Sequence, residues 1–324
     1  MPLGIKPTVD FAFKKIFGSP QNTSALIGLL NAILDRDHPI ESVTILNPFN
    51  YQEFAESKLI VLDIRCRDSA GRWLNVEMQV SVYSGLLERL VYYACSMYVD
   101  QLEIGDGYGK ATPSISICLL QHPHFGDTEQ PHHGFQMIDA ASGRRLKTAI
   151  EVHTVELSKY HLSEATITSA NKLHQWVFLL RNAQDYDEAR LRELLPGIDF
   201  DQAIGTIATI SAKSEDRQMY DQREKALRDY EWGLSSAREE GHEKGLQEGL
   251  EKGLQEGLEK GLEEGLEKGL EEGLEKGRQV GKIQMLQELL GDPILGDAEL
   301  LGRTPEELEN LLSILQQRLR DRQA

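Results

Sequence analysis

The sequence predicts an α/β domain, a mixed sheet flanked by helices, followed by a helical region and a glycine-rich repeat tail. Three observations predict it. Lys58 to Val82 reads as a β-hairpin, two apolar-rich runs around Asp68-Ser69-Ala70-Gly71-Arg72. The elements over the first 120 residues follow the order α-α-β-β-β-α-β, with the apolar period switching between helical and strand spacing. Glycine then recurs at every fourth position from Gly241 to Gly281.

The first helix is predicted over residues 7–17, where Val9, Phe13, Ile16 and Phe17 fall at helical spacing behind Thr8 as N-cap. Asp10, Lys14 and Lys15 lie towards its polar side. Gly18-Ser19-Pro20 breaks the helix, and a second runs from Asn22 to Leu34 with Leu26, Leu29, Leu30 and Ile33 inward. Ile40 to Leu46 reads as a strand. In the hairpin, a three-residue loop Ser69 to Gly71, with Gly71 left-handed, sets Asp68 against Arg72 and Asp63 against Glu77. Alternation then places Leu59, Val61, Asp63 and Arg65 on one face with Asn75, Glu77 and Gln79. Ile60, Leu62, Ile64, Cys66, Leu74, Val76, Met78 and Val80 form the other, apolar face.

Two facing carboxylates repel one another, and a hard divalent cation such as Mg²⁺, which takes oxygen ligands, relieves that repulsion. Solvated acids on an edge strand are the plainer alternative. Gly85 to Ile104 is an amphipathic helix, with Leu86, Leu90, Tyr93, Met97 and Leu102 near one face. Arg89, ten residues beyond Gln79, returns beside the carboxylates if the connection is tight, where its guanidinium suits a phosphate. A surface arginine paired with Glu88 is the alternative. Pro113 to Leu120 (PSISICLL) is continuously apolar, as a strand covered on both faces must be.

The strings VDFAFKKIFG, LDIRCRDSAGRWLNVEMQ, ERLVYY, QLEIGDGY and PSISICLL, in that order, resemble one bacterial family. It is the Rpn group of recombination-promoting nucleases, also described as transposases, within the PD-(D/E)xK nuclease superfamily. The resemblance spans roughly residues 5–282. It implies a restriction-endonuclease-like fold and DNA cleavage assisted by Mg²⁺, with Mn²⁺ as a substitute. It further implies Asp63 and Glu77 as metal ligands, Gln79 in the water-positioning place, and Asp10 as an outer carboxylate. Gln79 stands where the superfamily carries lysine, so the site lacks one positive charge. Removing a stabiliser of that kind costs roughly two to three orders of magnitude in rate. A non-cleaving DNA-binding protein and a protein-interaction scaffold that keeps the nuclease fold are the rival readings.

Residues 121–146 read as a solvated loop; His122, His124, His132 and His133 lack the spacing of a zinc site. Thr148 to Leu157 is a further strand, and helices follow at Ser169 to Arg181, Glu188 to Leu195, Asp201 to Ile210 and Glu215 to Glu240. In the repeat, Leu follows Gly from Leu246 to Leu274, while Lys244, Glu248 and Lys252 begin a row of alternating charge. Opposite charges at i,i+4 support a helix by a few tenths of a kcal/mol per pair. Eleven glycines oppose it by on the order of 10 kcal/mol together, so the repeat is expected to be a self-association stalk that makes a homodimer or higher oligomer, with a low-complexity, acidic, partly disordered linker as the alternative. Thr304-Pro305-Glu306-Glu307 is a capping box that opens a last apolar-faced helix.

The expected organisation is therefore a nuclease-like domain over 1–160, a helical region over 161–240, the repeat over 241–282 and C-terminal helices over 283–324. The net charge of −17 divides unevenly. Residues 1–120 carry 10 basic and 13 acidic side chains, residues 121–230 carry 13 and 17, and residues 231–324 carry 12 and 22. Most acidity belongs to the tail, and the body is near neutral, without a basic stripe. No stretch is long and apolar enough for a membrane span, the N-terminus lacks a signal-peptide core, and three unpaired cysteines suit a reducing compartment. A cytoplasmic protein is expected.

Overall fold

The computed structural model describes residues 1–49, 63–80, 85–146 and 149–323. It divides into two compact units, residues 1–234 and 235–324. The first unit is organised by a six-stranded mixed sheet in the order β1-β2-β3-β4-β6-β5. The strands are β1 (Val43–Ile45), β2 (Asp63–Asp68), β3 (Trp73–Gln79), β4 (Ser114–Leu120), β5 (His132–Gln136) and β6 (Ile150–Glu156). β1, β2 and β3 pair antiparallel; β3, β4 and β6 run parallel; β5 closes the far edge antiparallel to β6.

The hairpin forms as its turn chemistry requires. Gly71 takes φ +80°, its N–H donates to Asp68 O (3.0 Å), and Asp68 N–H donates to Arg72 O (3.0 Å). That closure fixes the register of Asp63 against Glu77. Asp68 is buried and grips Arg72 through Nε at 2.5 Å. The predicted extension through Leu59, Ile60, Val61 and Leu62 lies outside the described residues, as does Thr148 of the sixth strand.

The apolar face of the hairpin lies on the main core with Ile64, Cys66, Leu74, Val76 and Met78 buried. Helices α1 (Asp10–Phe17) and α2 (Thr23–Leu34) supply Phe11, Phe13, Phe17, Leu26, Leu29 and Leu30 to that core. After the short α4 (Glu164–Ile167), α5 (Lys172–Asn182), α6 (Glu188–Leu194) and α7 (Ile198–Ala212) add Trp176, Leu191 and Phe200. Gly28 permits the close packing of α2, since a Cβ there would stand 2.7 Å from Asp199. The opposite face of the sheet is covered by α3 (Leu86–Val99), whose Leu86 and Leu90 meet Cys118, Leu120 and Val152. β4, central and buried at all seven positions, is the two-faced strand its sequence predicts.

Three expectations need correction. The first helix starts one residue later, with Val9 and not Thr8 at the N-cap, and Asp10 is buried and not on a polar face. Residues 132–136 form an edge strand within what reads as a loop, because backbone pairing with β6 outweighs their polar composition. There the His132 and His153 rings meet, Nε2 to Nδ1 at 3.2 Å.

Helix α8 (Ser214–Leu290) begins in the first unit and carries the whole repeat. In the second unit Val280 and Ile283 pack with Leu300 of α9 (Asp297–Leu301) and with Leu308 and Leu315 of α10 (Pro305–Gln323). The capping box forms: Thr304 N–H donates to Glu307 Oε2 (2.8 Å) and Glu307 N–H to Thr304 Oγ1 (3.3 Å). Among the described residues no helix is long and apolar enough to cross a membrane.

Candidate active site

The site grows from the register of the hairpin. Asp63 and Glu77 are directly opposed across β2 and β3, which puts their side chains on one face about 5 Å apart at Cβ. Asn75 and Gln79 flank Glu77 on the same face, two residues to either side. Asp63 keeps a partly open side chain on this face, but the strand that carries Glu77 is covered. Because α3 lies over it, Asn75, Glu77 and Gln79 are 1%, 6% and 8% exposed.

Burial of these groups requires partners. Asn75 Nδ2 donates to Glu77 Oε1 at 2.9 Å. Arg89, on the first turn of α3, donates through Nη2 to Gln79 Oε1 at 2.5 Å and stands 3.3 Å from Glu77 Oε2. Its guanidinium also lies 5.9 Å from the Tyr93 ring centroid. Arg65 Nε lies 3.2 Å from Asp63 Oδ2. Burial pushes the Glu77 carboxyl above the ordinary carboxylate range, and Arg89 and then Asn75 pull it back, while Asp63 adds a smaller upward push. Cys118, beside Glu77 on β4, is driven up by the same burial and is no nucleophile.

The structure thus brings Asp63, Glu77, Gln79 and Arg89 together. Among the described residues, the hydrogen bond and ion pair of Asp10 are with other groups. Asp10 Oδ1 accepts from Phe11 N–H (2.7 Å), and Oδ2 lies 3.7 Å from Arg223 Nη1 at the start of α8. Burial raises its pKa, against the pull of Arg223. Two polar residues of the site, Asn75 and Arg65, escape a search for acid–lysine motifs. The period-two alternation puts both on the site face and was the signal available.

The donor set suits a hard divalent cation. Two carboxylates face each other, and Asn75 Oδ1 is a buried carbonyl oxygen with no hydrogen-bond partner among the described residues. No group of three or more His, Cys, Asp or Glu capable of holding a metal occurs among the described residues. Two carboxylates alone would leave a bound Mg²⁺ with positions for water and substrate, which that ion tolerates well.

Comparison with curated proteins and with solved structures gives no match. The family model of the PD-(D/E)XK nuclease family transposases matches residues 7–237, the sheet, its helices and the start of α8. The chain belongs to the PD-(D/E)XK nuclease family of transposases.

Proposed function

We propose that the protein is a Mg²⁺-dependent DNA endonuclease, with Mn²⁺ able to replace Mg²⁺, acting in recombination or transposition. The observation that carries this reading is the opposed Asp63–Glu77 pair with Arg89 folded back onto it. Asp63 and Glu77 would hold the cation, which when bound polarises a phosphoryl oxygen and lowers the pKa of water. The chain's own residues do the rest. Gln79, its side-chain oxygen already an acceptor, orients the attacking water by hydrogen bonding. Gln79 brings no charge, but Arg89, bonded to it, keeps a permanent positive charge at that place for the developing phosphoryl charge. Asp10 serves as an outer carboxylate. The bonded Arg89 is what favours cleavage over a non-cleaving scaffold that merely retains the fold.

The test is nicking of supercoiled plasmid by the purified chain with Mg²⁺ or Mn²⁺. Wild type should cleave, and Asp63→Ala and Glu77→Ala should each lose at least two to three orders of magnitude, the scale of a lost electrostatic stabiliser. Undiminished cleavage by both variants would remove the pair from the chemistry. The tail is read as a self-association stalk. Leu246 to Leu274 expose eight leucines at 65–77% along α8, and no neighbour approaches the Cβ position of any repeat glycine among the described residues. A second copy of the chain is the partner proposed for it.

A further inference from the structure

A second polar feature adjoins the site. At the carboxyl ends of β4 and β6 lies a cleft of about 370 Å³ whose described walls include Lys6, Gln121, His122, Ser158 and Arg181. In open α/β sheets the crevice beyond the carboxyl ends of parallel strands is where ligands bind. None of the described lining residues carries a carboxylate, although the chain has 52 acidic residues against 35 basic ones. The larger cavity beside His132 and His153, by contrast, has Asp35 and Asp199 in its wall. Arg181 is fixed at the cleft by Nη1, which donates to Leu157 O (3.1 Å) and Tyr160 O (2.7 Å). Lys6, 44% exposed at its side chain, leans towards Glu224 at 3.4 Å. Ser158 Oγ and the Gln121 side-chain oxygen are buried atoms without a hydrogen-bond partner among the described residues. A hydroxyl donates as readily as it accepts, and the Gln121 amide presents its NH₂ if turned over.

The cleft's Leu157 and Leu180 belong to the core on the other face of the sheet from Glu77, and the two places meet at the strand ends, where the Gln121 backbone N–H donates to Gln79 O at 3.0 Å. Strands lie about 5 Å apart, so β4 and β6 stand about 5 and 10 Å across the sheet from Gln79. That is a few nucleotides along a strand. We propose that this cleft holds a backbone phosphate of the nucleic-acid strand close to the one cleaved, with Lys6, Arg181, Ser158 and Gln121 as its donors. The proposal rests on the nuclease reading above and names how the substrate is held beyond the reacting group.

The test uses the full chain carrying Asp63→Ala, so that DNA is bound and not cut, and reads binding of a short fluorescent duplex across a salt series. Lys6→Gln should weaken binding equally for unrelated sequences and reduce the slope of log affinity against log salt by about 1. Ser158→Glu, which sets a negative charge in the cleft, should weaken binding further. Lower affinity with an unmoved slope would mark a loosened fold and overturn the proposal. Unchanged slope and affinity in both variants would overturn the proposal while leaving the nuclease reading intact. Competition by inorganic phosphate with DNA binding unchanged in both variants would also overturn it, assigning the cleft to a free anion. Failure of the Asp63→Ala chain itself to bind DNA would overturn both readings.

Discussion

Glu77 holds the balance of the site. It is buried beneath α3, and burial alone favours its neutral form; Arg89 and Asn75 restore part of the charge that a cation needs. Because the folded state raises its pKa, Glu77 contributes stability at low pH, below the pKa of the unfolded chain, and that contribution is lost as pH rises through the folded value. Asp10, also raised by burial, acts in the same direction. Cation binding runs the opposite way, since only the carboxylate ligates. Cleavage should therefore rise with pH through a range above the ordinary carboxylate value of 4.5. Arg89→Gln removes the largest downward pull on Glu77, so the rise should move to higher pH and the plateau should fall. A pH–rate profile of wild type and variant checks this, and superimposable profiles would deny Arg89 its role.

The hairpin is the element that decides whether the site exists. A one-residue slip would turn Asp63 to the opposite face from Glu77, and the left-handed Gly71 prevents it. A Cβ at Gly71 would stand 3.3 Å from Thr112 Cγ2 in a backbone conformation that costs other residues about 1–2 kcal/mol. Gly71→Val should lower stability by at least that amount in urea unfolding and reduce cleavage beyond what the lost stability explains. The pairing of Asp63 with Glu77 was legible in the sequence because it follows from loop length and alternation, which are local. The course of β4 was legible from its unbroken apolar run. The covering of Glu77 was not, since α3 folds over the face through Leu86, Leu90, Cys118 and Val152, a tertiary contact that no local pattern encodes. β5 was missed for the same reason: His132 to Gln136 has no strand pattern of its own and is held by β6. Asp10 looked polar by helix position, yet the start of α8, more than 200 residues on, brings Arg223 to it.

For the whole molecule, the proposed cleavage belongs to the sheet unit and the proposed self-association to the repeat-bearing unit. The family match ends at residue 237, and the compact boundary falls after Leu234. The repeat adds a row of alternating charge worth a few tenths of a kcal/mol per pair, against eleven glycines at about 1 kcal/mol each. That balance supports the second copy proposed as its partner. The full chain should self-associate in sedimentation equilibrium, and a chain ending at residue 240 should keep the thermal transition of the sheet unit and its cleavage while sedimenting as a monomer. The same association state in both chains would remove the stalk reading. Cleavage as proposed depends on Asp63 and Glu77 jointly holding a divalent cation. The most direct measurement is calorimetric titration of Mg²⁺ or Mn²⁺ into the full chain, beside Asp63→Asn and Glu77→Gln. Wild type should bind saturably, and either substitution should weaken binding at least tenfold (about 1.4 kcal/mol); equal affinity in all three proteins would show that the pair does not hold the cation.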